Sequence, residues 1–181
     1  MIYLHQSKVT SLPDSICSLT ALTILSLNRN QLTYLPDSID NLTSLTEFDV
    51  GGNQLTYLPD SICKLSSLRK CSVNDNQLTR LPDSIGNLTS LTQLVVSRNH
   101  LTYLPDSIGN LATLHYLAVN NNQLTYLPDS IFEMRSLTQL HIYDNPISST
   151  EFGRFEIRRK WANRRIWLYV ISHFNNSCLN I

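Results

Sequence analysis

The sequence is short of most features that announce an enzyme. Glycine is scarce, 5 in 181 residues, and its one adjacent pair, Gly51-Gly52, lies between a strand pattern and a turn. No glycine-rich loop is present to cradle a phosphate. His5, His100, His115, His141 and His173 occupy unrelated places and show no H-x-x-x-H spacing, so no metal centre is expected. No serine or cysteine is visibly paired with a base; His141 near Asp144 is only a weak echo of a catalytic triad. Catalysis, a cofactor and a small-molecule substrate are therefore not expected. No apolar run approaches the ~20 residues of a membrane span. The chain opens directly on a strand pattern, so no signal peptide is expected. Net charge is zero, but unevenly placed: residues 1–150 carry 8 basic and 12 acidic side chains, residues 151–181 carry 6 and 2.

What the chain has is periodicity. Leu-Pro-Asp-Ser-Ile starts at Leu12, Leu35, Leu58, Leu81, Leu104 and Leu127, always 23 residues apart. A strict period of this length means a stacked repeat, which builds an extended surface and not a pocket. Each unit reads L-x-x-L-x-L-x-x-N-x-L-T-x-L-P-D-S-I-x-x-L-x-x; the first complete one carries Leu22, Leu25, Leu27, Asn30, Leu32, Leu35, Ile39 and Leu42. The L-x-L block alternates with the period of a strand, Leu25 and Leu27 inward, Ser26 and Asn28 outward. Leu-Pro starts a turn of helix or 3₁₀ helix, since proline fixes φ and lacks an N–H. The Asp and Ser that follow suit a first turn with unpaired N–H groups. The asparagine column, Asn30, Asn53, Asn76, Asn99, Asn122 and Asn145, is expected to satisfy backbone groups of its own turn and of the next. Ile2, Leu4 and Val9 map onto Leu25, Leu27 and Leu32, with Ser7 in the asparagine place, so a partial first unit is expected. Seven parallel strands give a sheet ~29 Å wide.

These motifs resemble the leucine-rich repeat family, over roughly residues 2–147, and their LPxxI form is similar to the intracellular Ras-group and Scribble-type proteins. The resemblance implies an α/β right-handed solenoid, a horseshoe with a parallel sheet on the concave face and short helical or 3₁₀ turns on the convex face. The solenoid is expected over 1–147, as a partial repeat 1–21 and repeats starting near 22, 45, 68, 91, 114 and 137, with a C-terminal helical cap over 148–181. Secreted members usually carry cysteine-rich end caps, and none is seen. Cys17 and Cys63 share one repeat position two units apart, ~10 Å, beyond the ~7 Å limit for a disulfide. Free thiols and an intracellular, cytoplasmic location are expected.

Comparing the repeats with one another separates frame from surface. Thr33, Thr56, Thr79, Thr102 and Thr125 are constant, as is Pro-Asp-Ser. Four outward strand columns vary, and they line the concave face that the resemblance implies. They run from Ile24, Ser26, Asn28 and Arg29 in the first full repeat to Gln139, His141, Tyr143 and Asp144 in the last. The expected protein-binding residues are Asp49, Lys70, Asp75, Gln93, Val95, Arg98, Tyr116, Asn121, His141, Tyr143 and Asp144. Their richest cluster is Tyr116, His141, Tyr143 and Asp144, and tyrosine is favoured at binding hot spots. Glu47 and Lys70 are read as a surface ion pair. A further column, Tyr34, Tyr57, Arg80, Tyr103 and Tyr126, is expected to stack along the solenoid edge and cover it, or else to serve a second partner.

After Asn145-Pro146-Ile147 the period stops. Thr150 and Glu151 suit a helix start, and Phe155 and Trp161 are expected to pack on the last repeat within a helical stretch over 150–174. The leading functional expectation is a non-catalytic protein-interaction module, a scaffold or regulator in intracellular signalling, binding a protein through the concave face. One alternative is a pathogen- or virus-encoded effector of the same fold. The other is a basic tail that binds nucleic acid or a membrane surface; the repeats themselves give no reason to expect either. Residues 2–4 have no visible cap before them, so either weak self-association through the N-terminal edge strand or a longer natural product that supplies the missing N-terminal portion is expected.

Overall fold

A computed structural model of the protein describes residues 1–149 and 167–169. Its strands are β1 (Ile2–Tyr3), β2 (Ile24–Ser26), β3 (Glu47–Asp49), β4 (Lys70–Ser72), β5 (Gln93–Val95), β6 (Tyr116–Ala118), β7 (Gln139–His141) and β8 (Trp167–Tyr169). They form one sheet in chain order, every pair parallel. The register is the repeat itself: Leu25 lies opposite Phe48, Phe48 opposite Cys71, Cys71 opposite Leu94. A parallel neighbour requires a crossover, and here a 3₁₀ helix supplies it in each coil: Asp14–Ser18, Asp37–Asn41, Asp60–Lys64, Ile85–Asn87, Asp106–Asn110 and Asp129–Glu133. The result is the expected leucine-rich repeat solenoid. The partial first unit is in place, with Ile2 opposite Leu25.

The core lies between the sheet and the 3₁₀ turns. Leu25, Leu27, Leu32, Ile39, Leu42 and Leu45 of one coil are all fully buried against their equivalents in the next. Each such side chain contributes ~1.5–3 kcal/mol relative to its exposure in water. Cys17, Cys63 and Cys71 are buried and free. Burial pushes the Cys71 thiol up to about 12, so it packs in place of a leucine and is not a reactive thiolate.

Three details differ from the sequence reading. The Asp and Ser after each proline do not cap the turn: no side-chain cap bond forms, and the proline carbonyl closes it instead, as from Ile39 N–H to Pro36 O at 3.1 Å. Two of the serines reach across coils, Ser38 Oγ donating to Asp14 Oδ1 at 2.8 Å and Ser130 Oγ to the Asp106 carbonyl at 2.7 Å, whereas Ser61 Oγ and Ser107 Oγ find no hydrogen-bond partner among the described residues. The asparagines bond their own turn and the preceding one, not the next. Asn76 Nδ2 donates to Val73 O at 3.1 Å and Val50 O at 3.0 Å, and Oδ1 accepts Leu55 N–H at 3.0 Å. The reason is the residue before it. Arg29, Gly52, Asp75, Arg98, Asn121 and Asp144 all have φ between 52° and 68°, and this left-handed step swings the following amide back under the earlier coil.

The helical cap expected over 148–181 lies outside the described residues, except for the end of a four-residue helix, α1 (Pro146–Ser149), and β8. Phe155 and Trp161 lie outside them. Within the stretch expected to be helical, residues 167–169 are a strand instead, parallel to β7. Aromatic and β-branched residues at 166–171 favour an extended chain, and the open edge of β7 supplies the partner.

Candidate functional site: the concave face

The outward positions of the strands face the concave side, and the structure divides the expected site residues into three groups. The first surrounds a shallow depression of about 210 Å³ over β2 to β5, lined in part by Ile24, Glu47, Asp49, Lys70, Ser72, Gln93 and Val95. Lys70 Nζ meets Glu47 Oε1 at 2.8 Å; both are well exposed, so the pair contributes less than about 1 kcal/mol. Asp49 is tied into the frame. It accepts Asn28 Nδ2 at 2.9 Å and the Gly51 N–H at 3.0 Å. Gln93 and Val95 are half-buried on β5.

The second group is aromatic. His141 lies between Tyr116, with ring centroids 5.1 Å apart, and Tyr143, edge-on at 6.4 Å. All three are half-buried. Burial lowers the His141 pKa from its ordinary value and raises that of Tyr116. Both shifts favour the neutral forms. Asp144 is not drawn toward the imidazole as in a triad; it accepts Asn121 Nδ2 at 2.8 Å.

The third group, Asp75, Arg98, Asn121 and Asp144, is the left-handed column at the rim. Its variation has a partly structural origin, because Gly, Asn and Asp tolerate φ > 0 best. Asp75 accepts Asn74 Nδ2 at 2.5 Å and Arg98 Nη1 at 3.4 Å. The column beside it is also less free than its variability suggests. A Cβ on Gly51 would sit 2.6 Å from Asn74 Oδ1, and Asn120 is buried, with its Oδ1 taken by Ser97 Oγ at 2.6 Å.

The sequence reading missed Tyr3, and it placed Ile24 on the concave face without counting it among the binding residues; both line the depression. Ile24 carried a signal, as an apolar residue in an otherwise polar outward column. Among the described residues the expected stacking of the tyrosine column is not found. Tyr34, Tyr57 and Tyr126 are 45, 49 and 53 % exposed.

This geometry, a curved parallel sheet with one varied face, defines a class of binding scaffold, and sequence comparison places the chain in it. A leucine-rich repeat region profile matches residues 2–99, more than half of the chain, and a leucine rich repeat profile matches residues 89–147. The chain belongs to the leucine-rich repeat family. No curated protein sequence matches it. Among solved structures it is similar to a leucine-rich repeat protein of Leptospira interrogans, at 25% identity and TM-score 0.61 over 89% of this chain and 52% of that one. It is similar to the plant peptide hormone receptor RGFR1, solved with RGF2, at 27% identity and TM-score 0.70 over 75% and 23%. A third likeness is to a chain in an octameric complex of Latrophilin 3, Unc5D and FLRT2, the last contributing leucine-rich repeats, at 25% and TM-score 0.66 over 82% and 48%. The chain thus spans about half or less of the length of these proteins.

Proposed function

We propose that this chain is a non-catalytic protein-interaction module whose partner lies on the concave face, and that it serves as a scaffold or regulator in intracellular signalling. The observation that carries this reading is the aromatic patch of Tyr116, His141 and Tyr143 beside the depression over β2 to β5, on the face where the coils differ most. Two relatives support it, since RGFR1 was solved with RGF2 and the FLRT2 repeats within a multi-protein complex. The free, buried cysteines and the likeness of the Leu-Pro-Asp-Ser-Ile motif to Ras-group and Scribble-type repeats favour an intracellular setting. The test is quantitative capture of a protein partner by the intact chain and by the triple variant Tyr116→Ala, His141→Ala, Tyr143→Ala. A partner that binds here loses at least about fivefold in affinity, ~1 kcal/mol. Undiminished binding by a folded triple variant would move the site elsewhere.

Among the described residues the edge strand β1 has a single neighbour, β2, and Met1, Tyr3 and Leu4 are exposed beside it. Weak self-association through that edge belongs to the same reading. Sedimentation velocity over a range of concentrations detects it.

A further inference from the structure

A lateral surface distinct from the concave face also repeats with the coils and is left open. Tyr34, Tyr57, Tyr103 and Tyr126, with Arg80 in the middle place, stand one per coil just before each leucine-proline pair. None of the four rings makes a ring contact or hydrogen bond with another described residue; Tyr34, Tyr57 and Tyr126 are exposed and Tyr103 is half-buried. The backbone that carries them is a hydrogen-bonded ladder: Gln54 N–H donates to Leu32 O at 2.9 Å, and the pairs Gln77–Leu55, His100–Leu78 and Gln123–Leu101 follow at 2.8 Å. A parallel ladder of this kind fixes the step between coils at ~4.8 Å. Positions two coils apart, such as Tyr57 and Tyr103 on either side of Arg80, are therefore ~10 Å apart. Three residues beyond each of these positions comes an exposed aspartate. Asp37, Asp60, Asp83 and Asp106 form no ion pair among the described residues.

We propose that this tyrosine edge is a second binding surface, for a basic, proline-rich segment lying along the solenoid axis as a polyproline II helix. Three features of the edge select that occupant. A segment along the solenoid axis crosses the coils instead of running beside one, so an added β-strand finds no continuous edge to pair with, whereas a polyproline II segment needs none. Such a segment has no internal hydrogen bonds and presents its carbonyls outward, where the tyrosine hydroxyls and the Arg80 guanidinium can donate to them. It also repeats every three residues at ~9.3 Å, close to the two-coil step. Prolines at every third place can thus meet the aromatic faces in succession, as proline-rich ligands do in aromatic-lined grooves. The row of aspartates then faces the basic side chains of the same segment.

The probe is a fluorescein-labelled peptide of repeated Pro-Pro-Arg units, about twelve residues long, titrated into the intact chain and followed by polarisation. Saturable binding is expected, weakened at least about tenfold in the double variant Tyr57→Ala, Tyr103→Ala. Asp60→Asn with Asp83→Asn should weaken it and reduce its salt dependence. Tyr116→Ala with His141→Ala, on the concave face, should leave it unchanged, so this test is independent of the function proposed above. Tyr57 is exposed and Tyr103 half-buried, and circular dichroism of each variant checks that it folds. The proposal is overturned if a Gly-Ser-Arg peptide of equal charge binds as well, or if a Pro-Pro-Glu peptide does. It is equally overturned if the tyrosine variant binds undiminished or the intact chain shows no binding up to about millimolar. Self-association abolished by the tyrosine variant, without peptide binding, would instead assign the edge to a second copy.

Discussion

Replacing Asn76 with leucine tests how the coils are held together. Asn76 is buried in the middle of the array, and its amide makes bonds of unequal importance. The Val50 carbonyl also accepts Asn53 Nδ2, at 2.8 Å, and the Val73 carbonyl also accepts Asn99 Nδ2, at 3.1 Å. Both carbonyls therefore keep a partner when Asn76 is lost. The Leu55 N–H has only Asn76 Oδ1, and it would be stranded in the core. A buried amide left unpaired costs about 1–3 kcal/mol, and each shared bond forfeited adds roughly 0.5–1. The added apolar surface offsets part of this. The expected loss is about 3 kcal/mol, or a Tm lower by roughly 6–12 °C for a chain of this size. Asn30→Leu is the matched control. Its amide accepts the N–H groups of Ser7 and Val9, at 2.9 and 3.1 Å, in a terminal coil that is largely exposed, where water can replace it. That change should cost about 1 kcal/mol or less. Urea unfolding followed by circular dichroism, with the m-values compared, measures both. A loss of a few tenths at Asn76, or equal losses at the two sites, would refute the reasoning.

Two further outcomes follow from local geometry. Gly86→Ala would place a Cβ 2.2 Å from the Ser107 carbonyl oxygen of the next coil, a backbone atom that cannot rotate away. It should destabilise by about 1–3 kcal/mol in thermal melts, although alanine is the better helix former. The lowered pKa of His141 means that the unfolded chain takes up a proton before the folded one does. The His141 contribution is fully present above the ordinary histidine value of 6.5 and is lost as the pH falls through the folded-state value. His141→Gln should flatten the fall in Tm between about pH 7.5 and 5; an unchanged slope would show that burial of the imidazole is not coupled to folding.

The repeat, the strand register and the core were all legible in the sequence. A 23-residue period carries all three at once, because leucines spaced for one coil bury themselves only against the same leucines of the next. Phe48 and Cys71, which stand in for leucines, were legible in the same way, from position alone. The side chains of the concave face were not. Their columns looked like one variable surface, but only contact across coils shows which members are spoken for. Gly51 is small because Asn74 lies over it, Asp49 is held by Asn28, and the rim column is chosen partly for a positive φ. It took the packed coils to show that Tyr116, His141 and Tyr143 meet as one patch, that the asparagines reach back to the preceding coil, and that the edge tyrosines stand apart. Periodicity fixes where each residue sits along the solenoid, whereas these choices depend on which way a side chain turns among neighbours 23 residues away in the chain.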